Sequence, residues 1–141
     1  MLEKITKQLR RDEGVEESAY QDSLGYWTIG VGRLVDKRKG GGLSNKEIDF
    51  LLSNDIEEVT KALEARVSFY KTLSEARRGV LLNMAFNLGV DGLLAFKNTL
   101  RLVGEGKYKE ASVEMLKSKW ATQVGVRATR LAKQMETDQW Q

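Results

Sequence analysis

The sequence of 141 residues contains no cysteine, no proline and no histidine. The absence of cysteine excludes disulfide bonds and cysteine-ligated zinc sites, and the absence of histidine removes the commonest metal ligand. Ser-His and Cys-His catalytic pairs are excluded too, so acid–base chemistry must depend on carboxylates, lysine or tyrosine. The sequence indicates neither a metal nor a cofactor. The combined absence of three residue types leaves both a natural and an artificial origin open.

Long apolar runs and a strong charge imbalance are missing as well. No stretch approaches the ~18 consecutive apolar residues of a membrane helix, and the start MLEKITKQLRRDEG lacks the apolar core of a secretory signal. The 23 basic and 20 acidic residues give a net charge of +3, which mildly favours anionic polymers, although the two signs are interspersed. We expect one globular domain that is made soluble and carries no readable targeting signal. We also expect a monomer without a membrane partner.

Apolar spacing and turn residues predict the order of the elements. An amphipathic helix should end near Glu13, where Gly14 can stop it. The segment 16–35 is rich in β-branched and aromatic residues and predicts a small antiparallel sheet. Ser44 and Glu47 match a capping box, which predicts the start of a helix of about 20 residues.

From residue 74 onward the helical period recurs, which brings the expected total to seven or eight helices. Together with the small sheet, these helices predict an α+β fold. We expect a single domain over 1–141, with a sheet lobe at 14–43 and a helical lobe built from 1–13 and 44–141. The long helix should join the lobes, and the first helix should pack back onto the helical lobe.

Glu13 and Asp22 are the candidate catalytic carboxylates. Glycoside hydrolysis needs two such groups, one to protonate the leaving oxygen and one to activate water or attack carbon. A glutamate at the end of a helix beside a lobe boundary is a suitable acid if it is partly desolvated. Taken alone, either residue is more often a solvated surface charge.

Several separated motifs strengthen this hypothesis. The sequence DEG closes the first helix and YQDSLGYWTIGVG follows it; LLNMAFNLG, AFKNTLRL, KSKWATQ, VRATR and DQW occur later in the chain. In this order they resemble the phage-type lysozymes, the endolysin family, over nearly the whole sequence. The resemblance implies a two-lobed α+β fold that hydrolyses the β-1,4 bond between N-acetylmuramic acid and N-acetylglucosamine in peptidoglycan, which lyses the bacterial cell.

The resemblance also implies roles for individual residues. Glu13 would be the general acid, Asp22 the carboxylate that activates or positions water, and Thr28 the hydroxyl that helps to hold this water. Members of the family invert the anomeric carbon. For an inverting enzyme we expect the two carboxyl groups to lie about 6.5 to 9.5 Å apart.

Other positions match the substrate groove of the family. Leu34, Phe86 and Thr99 would line the saccharide groove, and Asn87 is close enough in sequence to reach it. Core packing is an alternative for Phe86, and a role at a helix N-terminus is an alternative for Thr99. Arg127 matches the arginine that pairs with the catalytic glutamate in the family, where it would orient that carboxylate.

The chain departs from the family pattern at three places. Arg33 replaces a frequent histidine, and we predict that it pairs with Asp55. Glu114 stands where a saccharide-contacting amide is expected, so we do not assign it to the site. The loop DKRKGGG between the sheet and the long helix is short.

Two other functions remain as alternatives. A catalytically inactive module that binds wall saccharides would keep the fold but lose a catalytic residue. A helical nucleic-acid binder is suggested by DKRK and by Arg77 and Arg78, but such a protein would cluster its basic residues on one face. The resemblance instead implies a partner in peptidoglycan, no nucleic acid, and action in the periplasm after membrane release.

Overall fold

The computed structural model of the chain describes residues 2–21, 23–24, 26–31, 33–34 and 42–141. These residues form two compact units, Met1–Leu52 and Ser53–Gln141. The predicted lobe boundaries and the packing of the first helix onto the helical lobe stay predictions.

The first unit begins with helix α1, Leu2–Glu13. The helix ends where the sequence predicts, because Gly14 adopts a left-handed conformation with φ of 78°. In this conformation the Gly14 N–H donates to the Arg10 carbonyl at 3.0 Å. A side chain with a Cβ would be strained at this position, which makes glycine the natural residue to end the helix.

The predicted sheet is present as three strands, β1 (Glu16–Gln21), β2 (Trp27–Gly30) and β3 (Arg33–Leu34). The strands pair antiparallel in sequence order, with an irregularity in β1 between Glu16 and Tyr20. Thr28 in the middle strand is opposite Tyr20 on one side and Leu34 on the other. The register therefore places Thr28 at the centre of the sheet.

Helix α2, Asn45–Arg66, starts at the predicted capping box. The Ser44 hydroxyl accepts from the Glu47 N–H at 3.2 Å, and the Glu47 carboxylate accepts from the Ser44 N–H at 3.2 Å. Both of these donors would otherwise be unpaired at the helix start. The basic residues of the loop before this helix lie outside the described residues.

The remaining elements belong to the second unit and are helical. After a short 3-10 helix, Tyr70–Thr72, come α3 (Glu75–Leu88), α4 (Val90–Leu94), α5 (Lys97–Gly104), α6 (Tyr108–Lys117), α7 (Lys119–Val124) and α8 (Val126–Thr137). Within the described ranges this makes eight α-helices beside one small sheet, which confirms the α+β fold. None of the described helices is both long and apolar enough to cross a membrane.

Helix α3 divides its residues between the core and the surface. Val80, Leu81 and Met84 are fully buried in the core of the second unit. The other large side chains with full burial come from helices on either side of α3: Leu63, Leu93, Val103, Met115 and Met135. A helix anchored in this way presents its opposite face, which includes Asn83, Phe86 and Asn87, in a fixed orientation.

Candidate active site

Thr28 is a buried polar residue, with only 3% of its surface exposed. Its hydroxyl lies 3.1 Å from the backbone carbonyl of Tyr26, to which it donates a hydrogen bond. Because this bond uses the hydroxyl proton, the lone pairs of the oxygen remain available as acceptors. The geometry suits a hydroxyl that accepts a hydrogen bond from a water molecule.

Leu34 pairs with Thr28 across the sheet and is 41% exposed, so its side chain is available for contact. The neighbouring residue Arg33 forms an ion pair with Glu47, in which Nη2 lies 3.8 Å from a carboxylate oxygen. The predicted partner Asp55 belongs to the other compact unit, so an Arg33–Asp55 pair stays a prediction.

The distance between the two candidate carboxylates lies outside the described part of the chain. Glu13 is the last residue of α1, and its side chain lies outside the described residues. Asp22 follows β1 directly and also lies outside them. The separation expected for an inverting pair therefore stays a prediction.

Phe86 lies on the surface of the second unit. It is 44% exposed, so the alternative that it is a core residue is wrong. The next residue, Asn87, accepts a hydrogen bond at 2.8 Å from the indole nitrogen of the buried Trp120. This bond fixes the amide of Asn87 and leaves its NH₂ group as a donor.

Arg127 lies in the first turn of α8, which follows Gly125. Its Nε donates to the side-chain oxygen of Asn83 at 2.9 Å, and its Nη2 donates to the Asn83 backbone carbonyl at 3.4 Å. Both contacts cross from α8 to the exposed face of α3. The pairing of Arg127 with Glu13 stays a prediction.

Thr99 is 3% exposed and belongs to the first turn of α5. The N-cap position of this helix is Phe96, so Thr99 is not the capping residue. Thr99 lines a shallow depression of about 230 Å³ together with Glu114 and Lys117. Lys97 lines it as well, so the depression carries two positive charges and one negative charge. Glu114 and Lys117 approach each other to 3.5 Å.

Within the described residues, the groups with clearly shifted pKa values are Tyr70 and Glu105. Burial raises the pKa of Tyr70 above its usual value. Hydrogen bonds from Arg101 and Lys107 lower the pKa of Glu105. Within the described part of the chain, no cluster of three or more acidic residues is arranged to hold a metal ion.

The sequence analysis missed two residues that organise this surface, Asn83 and Trp120. Both depend on contacts between helices that are distant in the chain, namely α3 with α8 and α3 with α7. One signal was present, because Asn83 precedes Phe86 by three residues and helical spacing places both on one face.

The chain is similar to known proteins over most of its length. The profile of the family described as phage lysozyme matches residues 10–137. A probable T4-type lysozyme of Dictyostelium discoideum is 30% identical over 97% of this chain and 96% of its own length. An endolysin of Acyrthosiphon pisum secondary endosymbiont phage 1 is 27% identical over 77% of this chain and 73% of the endolysin.

A longer protein also contains a similar segment. The pre-baseplate central spike protein of Enterobacteria phage T4 is 26% identical over 90% of this chain. The match covers 26% of the spike protein, so the similarity is to one part of it.

Proposed function

Because the chain belongs to the phage lysozyme family, we propose that this lysozyme hydrolyses the β-1,4 bond between N-acetylmuramic acid and N-acetylglucosamine in peptidoglycan. The family match carries the proposal, since the matched range, 10–137, includes every predicted site residue. As a glycoside hydrolase without histidine, the enzyme must use carboxylates or other side chains for proton transfer.

The proposed mechanism inverts the anomeric carbon. Glu13 protonates the leaving oxygen while Asp22 activates a water molecule on the opposite face of the sugar. Thr28 helps to hold this water. The Thr28 hydroxyl supports this role, because it donates to the Tyr26 carbonyl and therefore meets water as an acceptor.

Leu34, Phe86 and Thr99 are the proposed saccharide contacts, and Arg127 is the proposed partner of Glu13. The side chains of Phe86 and Leu34 are exposed, which supports their contact with the apolar face of a sugar. A guanidinium beside the acid would orient the carboxyl group through a charge-assisted hydrogen bond.

We further propose that the lysozyme acts as a monomer on peptidoglycan, without nucleic acid or membrane as a partner. Synthesis in the cytoplasm followed by action in the periplasm, after release through the membrane, would bring it to the wall and cause lysis. The similarity to a phage endolysin supports this route.

The substitution Glu13→Gln tests the proposed acid. It removes the transferable proton and retains the shape of the side chain, so we expect hydrolysis of labelled, purified peptidoglycan to fall at least about a hundredfold. The control Glu3→Gln changes an exposed glutamate of the same helix and should leave the rate within about twofold of the parent.

Thermal unfolding of both variants should match that of the parent. Undiminished hydrolysis by Glu13→Gln would show that another group is the acid. A folded parent that binds purified peptidoglycan without cleaving it would instead favour the inactive saccharide-binding module.

A further inference from the structure

We infer that Asn83 is a positioning residue for the hydrolysis, acting through Arg127. The inference rests on the proposed function, which makes Arg127 the partner of the catalytic acid. It extends that proposal to a residue for which no contact with the sugar or with the acid is proposed.

Asn83 holds the arginine at two points. The side-chain oxygen of Asn83 accepts from Nε of Arg127 at 2.9 Å, and its backbone oxygen accepts from Nη2 at 3.4 Å. Within the described residues, Asn83 is the only hydrogen-bond partner of the Arg127 guanidinium group. Two acceptors from one residue fix both the position and the plane of the guanidinium group.

The remaining donors determine what the arginine can bind. A guanidinium group carries five N–H donors, and the two contacts use Nε–H and one hydrogen of Nη2. Both Nη1 hydrogens and the second Nη2 hydrogen remain, and these form the edge that binds a carboxylate through two hydrogen bonds. Asn83 therefore sets the direction in which Arg127 presents its carboxylate-binding edge.

The backbone of α3 makes this support rigid. Asn83 is flanked by the buried Met84, and its second acceptor is a main-chain carbonyl of a helix packed on the core. Asn83 also lies on the same helical face as Phe86 and Asn87. The face that carries a proposed saccharide contact thus also supports the proposed partner of the acid.

A double-mutant cycle with Asn83→Ala and Arg127→Ala tests the inference in the full chain. We expect Asn83→Ala to lower kcat for a soluble peptidoglycan fragment about tenfold, with KM within about twofold, because a misplaced positioning group costs rate more than binding. In the Arg127→Ala background the same substitution should change kcat by less than about twofold.

A matched control removes another exposed partner of an arginine. Arg66 and Asp91 lie 2.6 Å apart on the surface, and Asp91→Ala should leave kcat and KM unchanged. Thermal unfolding of Asn83→Ala should remain within about 2 °C of the parent, since Asn83 is exposed. A purely structural role for Asn83 would shift unfolding and leave kcat unchanged.

Each other outcome overturns the inference in a recognisable way. If Asn83→Ala lowers kcat equally in the parent and in Arg127→Ala, Asn83 does not act through the arginine. If Arg127→Ala retains the parental kcat, the arginine does not contribute to the reaction and Asn83 cannot act through it. The proposed hydrolysis through Glu13 is not affected by this result. If Arg127→Ala is impaired and Asn83→Ala is not, the inference is wrong and the proposed role of Arg127 stands. If the parent does not hydrolyse the fragment, the proposed function and the inference fail together.

Discussion

At the scale of single residues, the hydroxyl of Thr28 shows how a local contact can select a chemical role. The hydroxyl is buried in the middle strand and donates to the Tyr26 carbonyl. A hydroxyl that donates its one proton to a carbonyl can bind any further partner only as an acceptor. The proposed catalytic water would therefore donate a hydrogen bond to Thr28. A lone pair of this water then remains free to attack the anomeric carbon.

Thr28→Val and Thr28→Ser test this role. Valine keeps the shape but has no oxygen, so we expect the rate of peptidoglycan hydrolysis to fall at least about tenfold, whereas serine keeps the hydroxyl and should retain most of the activity. The control Thr72→Val removes a similar hydroxyl bond to a backbone carbonyl, that of Phe69 at 2.6 Å. Equal activity of the valine and serine variants at residue 28 would exclude the hydroxyl from the reaction.

Residues of the site could be predicted from the sequence only where they lie within a recognisable motif. Phe86 and Arg127 stand within recognisable motifs, and of the two alternatives for Phe86 the structure excludes core packing. The spacing of Asn83 from Phe86 shows only that they share a helix face; its role depends on the way α3 and α8 pack together, which the sequence does not show. A single asparagine on a helix face is not distinguishable in sequence from a solvated residue.

At the scale of elements, the sequence predicted best those helices whose ends are encoded by particular residues. The capping box at Ser44 and the glycine stop at Gly14 are both present as predicted. No apolar spacing in the sequence was assigned to α7, whose six residues span fewer than two helical turns. Its signal is Ser118, whose hydroxyl accepts from the Ala121 N–H at 3.1 Å.

Ser44→Ala tests the contribution of the capping box to α2. The substitution leaves the Glu47 N–H without its capping oxygen, so we expect the free energy of unfolding to fall by about 1 kcal/mol. Ser53→Ala, in the interior of the same helix, should have no destabilising effect, because alanine has the higher helix propensity. Urea denaturation measures both changes. Equal stability of Ser44→Ala and the parent would mean that the box does not stabilise this helix start.

At the scale of the whole molecule, Arg77 ties three helices of the second unit together. It belongs to α3, its guanidinium stacks over the ring of Tyr108 in α6 at 3.6 Å, and its Nε donates to the Met135 carbonyl of α8 at 2.8 Å. Its Nη2 donates to the Glu136 carbonyl at 3.1 Å. These carbonyls lie in the last turn of α8, where no intrahelical donors are available. Next to them, Asp138 adopts a left-handed conformation and hydrogen-bonds to Ser74 at the start of α3.

Arg77→Lys tests this connection without removing the positive charge. Lysine has a single ammonium group, which cannot stack flat on Tyr108 and bind two successive carbonyls at once, so we expect the free energy of unfolding to fall by roughly 2 kcal/mol. Arg130→Lys changes an exposed arginine of α8 and should alter stability by less than about 0.5 kcal/mol. Because the side chain of Arg77 is only 15% exposed, added salt should recover little of the difference from the parent. If Arg77→Lys and Arg130→Lys unfold at the same urea concentration, the flat geometry of the guanidinium does not stabilise the second unit. The positive charge alone would then account for the contribution of Arg77 to stability.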